Sequence, residues 1–155
     1  MTSLADGVDE ALAVRDREGG DVIVVGAGDA EAEVRVVDSD RLGVKVSRVR
    51  VRKPAAVPVS REANALPDRL RALPERLTPL EMEPGHGRGL LRTSVDEMRH
   101  REFFEVQIDG GRDLDVRRYK VDEGGERKGI DWTMSRDQLG RLLDQLAGGS
   151  DGKSE

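Results

Sequence analysis

The chain contains no cysteine, which excludes a disulfide framework, a thiolate metal site and a cysteine nucleophile. Aromatic residues are 3% of its 155 residues: one Trp, one Tyr and two Phe. The core therefore has to be aliphatic, and any surface that stacks on flat ligands is small. His86 and His100 are the only histidines. His86 sits in PGHGRG near Glu81 and Glu83, but a metal centre needs several converging ligands, so no metal and no other cofactor is expected. No apolar run approaches the ~18 residues of a spanning helix, and the opening MTSLADGVDEAL has neither the basic region nor the apolar stretch of a secretory leader. A cytoplasmic protein without a membrane segment is expected. No Ser-His-Asp arrangement can be read from spacing, and carboxylate pairs such as Asp9-Glu10 fall on a helix side that should face solvent. No catalytic residue is assigned, and the chain reads as a non-enzyme.

What is present is charge, unevenly placed. The net charge is -5. Residues 1–40 hold eleven acids against Arg15, Arg17 and Arg35, whereas residues 41–61 hold seven bases and no acid. Such asymmetry suggests either a binding face or two segments whose charges meet across a sheet.

The hydrophobic pattern reads as α+β. Leu4, Val8, Ala11 and Leu12 have helical spacing and Gly19-Gly20 ends that helix. VIVV from Val22 is a buried strand, EVRVV alternates with period two, and LGVKVSRVRVRK is a long strand from Leu42 to Lys53. A short edge strand is expected at Val57. A helix capped by Ser60 follows, with the stripe Leu66, Leu70, Leu73 and an awkward Pro67. From Leu77 further strands are expected in LTPLEMEP, GLLRTS, FFEVQID, LDVRRYKV and IDWTMS, with a helical turn at 95–98 and DEGGERKG as a loop. Ser135 should cap a last helix with the stripe Leu139, Leu143, Leu146. VIVVGAGDAE resembles the start of a dinucleotide fingerprint, but Glu31 stands where a third small residue belongs and a strand follows, so a glycine hairpin is the plainer account.

An internal repeat runs through this pattern. VKVSRVRV (44–51) and LDVRRYKV (114–121) share apolar positions one, three, six and eight, a phase slip that suggests β-bulges at Ser47-Arg48 and Arg117-Arg118. EVRV matches EVQI, and VPVSRE matches WTMSRD, in the same order. The expected organisation is an N-terminal helix (1–20), two ββββα units (21–75 and 76–148) packed with pseudo-two-fold symmetry, and a tail (149–155).

The second unit, DLDVRRYKVDEGGERKGIDWTMSRDQLGRLLDQL, resembles the PC4/Whirly/Pur-alpha class of single-stranded nucleic acid binding domains. The matching positions are Val116, Arg117, Tyr119, Lys128, Gly129, Ile130 and Gln138. The position after the Tyr, often aromatic in that class, is Lys120 here. The resemblance implies non-catalytic binding of single-stranded DNA or RNA on an open sheet, with Arg112 in a basic hairpin, Arg117 on the strand and Lys128 before Gly-Ile. If Val44, Val46, Val49 and Val51 face the helices, Lys45, Arg48, Arg50 and Arg52 face outward. Arg117 or Arg118, with Lys120, would extend that stripe. Phe103 would be an exposed stacking ring if Phe104, Val106 and Ile108 point inward; the plainer alternative is a hydrophobic edge. Trp132 shares a face with Ile130 and Met134 and belongs in the core. Asp113, Asp115, Glu105 and Asp109 stand among these bases, where they can pair across strands. The alternative function is a protein-interaction module similar to secretion-chaperone scaffolds, with the open sheet used for a client or a homodimer.

Overall fold

A computed structural model describes residues 3–93 and 101–148. The helical turn expected at 95–98, His100 and the tail from 149 lie outside those residues. The architecture is α+β. A short 3-10 turn (Leu4–Gly7) leads into α1 (Val8–Glu18); then come β1 (Val22–Ala27), β2 (Ala30–Ser39) and β3 (Gly43–Arg52). After α2 (Val59–Arg69) the chain adds β4 (Leu77–Glu83), β5 (Arg88–Thr93), β6 (Glu102–Asp109), β7 (Asp113–Val121), β8 (Arg127–Ile130), β9 (Trp132–Ser135) and α3 (Arg136–Leu146).

The nine strands form one antiparallel sheet in the order β1-β2-β3-β7-β6-β5-β4. β3 lies at its middle. The second half of β3 pairs with β7, and its first half pairs with β9. The second half of β7 pairs with β8. One aliphatic core gathers Val44, Val46, Val49 and Val51 of β3 with Leu12 of α1, Leu66 of α2, and Leu139, Leu143 and Leu146 of α3. All three helices thus bury their apolar sides against the same face, and no helix among the described residues covers the other. Trp132 is in this core, edge-on to Phe104 at 5.3 Å. Ser135 caps α3 as its sequence requires: its Oγ accepts from Gln138 N at 3.0 Å, and Gln138 Oε1 accepts from Ser135 N at 3.0 Å.

Three local expectations need correction. No strand forms at Val57, and α2 begins at Val59 with Pro58, not Ser60, at its cap. Pro54 and Pro58 remove backbone donors around Val57, and its remaining N–H is taken by Gly111 O at 3.0 Å. Residues 21–75 therefore hold three strands before their helix and residues 76–148 hold six, not the four expected of each. Next, DEGGERKG is only partly a loop, since β8 starts at Arg127. Finally, the bulge at Ser47 is present, because Arg35 pairs with Arg48 and the next residue, Val36, pairs with Val46. Its expected twin at Arg117-Arg118 is not: β6 and β7 stay in unbroken register from Glu102↔Lys120 to Asp109↔Asp113. Arg118 makes this possible. It takes a helix-side position, lies 4.4 Å from the Phe104 ring centre and pairs with Glu102 at 3.1 Å. Tyr119 is thereby turned to the helix-free face.

Two polar devices tie the layers together. Glu62 of α2 is buried, and its carboxylate binds Lys53 Nζ at 2.6 Å and Arg69 at 2.5 Å; Arg69 Nε also donates to the Gln145 carbonyl at 2.7 Å. The end of β3, α2 and α3 are joined at this point. In the β2–β3 turn, Asp40 Oδ1 accepts from Gly43 N and Leu42 N at 2.9 and 2.8 Å. These bonds, Gly43's first, hold the carboxyl below its ordinary value of 3.8. The lowering places Asp40's contribution to stability above its unfolded value, with loss as pH falls through the folded one. The melting-temperature gap between wild type and Asp40→Ala should therefore stay constant from neutrality to about pH 5 and close in stronger acid; a thermal-melt series across pH measures it.

Candidate functional site

The helix-free face is the candidate site, and the strand register decides what it offers. The Ser47 bulge keeps Lys45, Arg48, Arg50 and Arg52 all on this face, as the sequence suggested, since the valines between them are buried. The four do not form one cationic stripe. Arg50 stands between Glu33 of β2 and Asp115 of β7, and Arg52 between Glu31 and Asp113. Arg50 reaches Glu33 at 3.6 Å and Arg52 reaches Asp113 at 3.2 Å. Acid thus faces base on both sides, and this half of the face is a charge ladder in which four carboxylates surround two guanidinium groups.

Past the bulge the pattern changes. Arg48 faces Arg35 across β2–β3, like charge against like. Asp115 serves two cations: Arg48 Nε donates to it at 3.0 Å, and Arg117 Nε lies 3.8 Å away. The hydrogen bond that Arg48 donates to Asp115 holds its guanidinium pKa above the ordinary value. Glu105 of β6 also serves two. It is 2% exposed, and Arg92 of β5 and Arg127 of β8 clamp it at 3.0 and 2.7 Å. The Glu105 hydrogen bond likewise raises Arg127. Arg35, Lys45, Arg48, Arg117, Arg127 and Arg92 therefore form a belt running across the strands, against three carboxylates, Asp38, Asp115 and Glu105. Among the described residues, neither Arg35 nor Lys45 has a carboxylate within ion-pair distance.

The aromatic element differs from expectation. Phe103 does point away from the helices, but it is 2% exposed. Arg92 lies 4.7 Å from its ring centre, and Tyr119 stacks beside it at 5.7 Å. Tyr119 is the half-buried ring of this face, with the Arg127 guanidinium 3.9 Å from its centre. The unbroken β6–β7 register puts Arg117 on the belt, whereas Arg118, Lys120 and Lys128 project toward the helix side. Arg112 is occupied structurally: its Nε donates to Lys53 O at 2.8 Å and its guanidinium reaches Pro54 O at 3.2 Å, which pins the β6–β7 hairpin to the end of β3.

Arg35, Arg92, Arg127 and Tyr119 are the belt residues that sequence reasoning missed. Arg35 lay in plain alternation with Glu31 and Glu33 in β2. Arg127 was hidden in a loop-like glycine segment, and Arg92 carried no signal apart from its strand. His86 sits exposed in a 3-10 turn (Pro84–His86). No group of three or more His, Cys, Asp or Glu among the described residues could hold a metal ion, and no described helix is long and apolar enough to cross a membrane. No protein-family model, no curated protein and no solved structure matches the chain, so its function has to be read from this face.

Proposed function

We propose that the protein binds single-stranded DNA or RNA, without chemistry, across the arginine belt of its helix-free face. The observation that carries this is the crowding of six cations around three carboxylates, with Arg35 directly opposite Arg48. Like charges paired across strands destabilise a sheet, and a phosphate bridging them would relieve that cost. Tyr119 and the planar guanidinium groups supply faces on which unpaired bases stack. The likeness of residues 103–146 to the PC4/Whirly/Pur-alpha class supports the same reading. A double helix is a poor fit, because the belt is short and the ladder beside it carries acids that would meet a second backbone.

A labelled single-stranded oligonucleotide titrated at several salt concentrations tests it. Binding should weaken as salt rises. Arg35→Ser with Lys45→Ser should reduce the salt slope by about 1.4, the value for two lost phosphate contacts on a single strand. Arg50→Ser with Arg52→Ser, which touches the ladder only, should change it less. Absence of binding at low salt would remove the proposal. The acid-rich ladder of Glu31, Glu33, Arg50, Arg52, Asp113 and Asp115 would then favour the second reading, a protein client or second copy on the same face, because alternating charge suits specific complementarity better than a polyanion.

A further inference from the structure

The two outer edges of the sheet are built differently. β4 carries Pro79, a register shift between Pro79 and Glu81, and the acids Glu81 and Glu83, all of which blunt an edge. β1 has none of these. It is VIVVGA, six residues without charge or proline, in unbroken register with β2 and paired with nothing on its outer side. Val22 and Val24 are 36% and 57% exposed. Such an edge presents a row of backbone donors and acceptors to an incoming strand.

A groove runs along this edge. α1 lies against β1 with its first turn near the end of that strand, since a Cβ added at Gly7 would meet Val25 at 2.7 Å. Ala11 and Val14 line the groove from the helix, Val22 to Gly26 line it from the strand, and Glu10 and Glu18 stand on its rim with Arg15. Arg15 already contacts Asp16 and the Val37 carbonyl. Asp21 and Asp29 flank the two ends of β1. The rim is therefore acidic.

We propose that β1 and α1 form a docking groove for an extended segment of a partner protein, one that alternates apolar and basic residues. It would add as a strand to β1, with its basic side chains meeting Glu10, Glu18 and Asp21. A second copy fits less well, because pairing β1 with its own symmetry mate would bring two acidic α1 rims together. The proposal rests on residues outside the belt and the ladder, although Val22 and Val24 pair with Arg35 and Glu33.

The test uses the full chain and a fluorescein-labelled peptide of about eight residues alternating Val and Lys, a common strand length. Two controls have the same length: one alternates Val and Glu, and the other keeps the lysines but replaces each Val with Pro. Expected are binding of the Val-Lys peptide alone, slowed hydrogen exchange at β1 amides, and about tenfold weaker binding by Glu10→Lys with Glu18→Lys, two exposed positions whose change leaves the melting temperature in place. Equal binding of the proline peptide would reduce the effect to nonspecific charge and overturn the proposal. So would protection outside β1, no binding at all, or sedimentation showing a dimer whose β1 is protected without peptide.

Discussion

Glu62→Ala should lower stability by about 3–5 kcal/mol, because it leaves the buried Lys53 ammonium without a counter-charge. A protein of this size has on the order of 5–15 kcal/mol in total, and the melting temperature should fall by about 10 °C or more. Lys53 is only 7% exposed at its side chain, whereas Arg69, at 18%, keeps its bond to the Gln145 carbonyl. The loss should thus be dominated by Lys53. Lys53→Met combined with Glu62→Met should be closer to wild type than Glu62→Ala alone, since removing both charges leaves no buried ion. Thermal and urea unfolding of the three proteins decide the matter; equal losses in single and double variants would mean that packing, not charge, sets the cost.

Glu105→Gln should act in opposite directions on stability and on binding. It removes the charge that holds Arg92 and Arg127 over Phe103, at a cost of about 2–3 kcal/mol. That is less than for Glu62, because Arg92 and Arg127 are 33% and 43% exposed and can turn to water. The same substitution takes one carboxylate from the belt. Affinity for a single strand should rise roughly fivefold and its salt slope should steepen by about 0.7, the value for one added phosphate contact. A stability loss without any gain in affinity would separate the belt from nucleic acid binding. A protein made less stable yet tighter in binding is a result that a purely structural role for Glu105 does not produce.

Much of the inside of this protein was legible in its sequence. The valines of β2 and β3 alternate, the leucines of α2 and α3 recur at helical spacing, and a single phase slip at Ser47 foretold a real bulge. Each is a local regularity, because a side chain's face follows from its own strand or helix period. The same rule misled at Arg117-Arg118. The slip there reflects Tyr119 and Val121 turning to the other face while Arg118 stacks on Phe104, and that exchange depends on β6, not on β7 alone.

The outside was not legible, because it depends on partners far apart in the chain. From sequence, β3 is a run of bases. Only its pairing with β2 on one side and β7 on the other shows that Arg50 and Arg52 are matched by acids while Arg48 faces Arg35. The sequence by itself settled which faces of β2, β3, α2 and α3 are buried, since burial there follows the periodicity of each element, but not the burial of Phe103, Lys53, Glu62 and Glu105 or the exposure of Val22 and Val24. The tertiary structure alone decided where unbalanced charge and an unguarded edge remain, since both are set by which strands become neighbours.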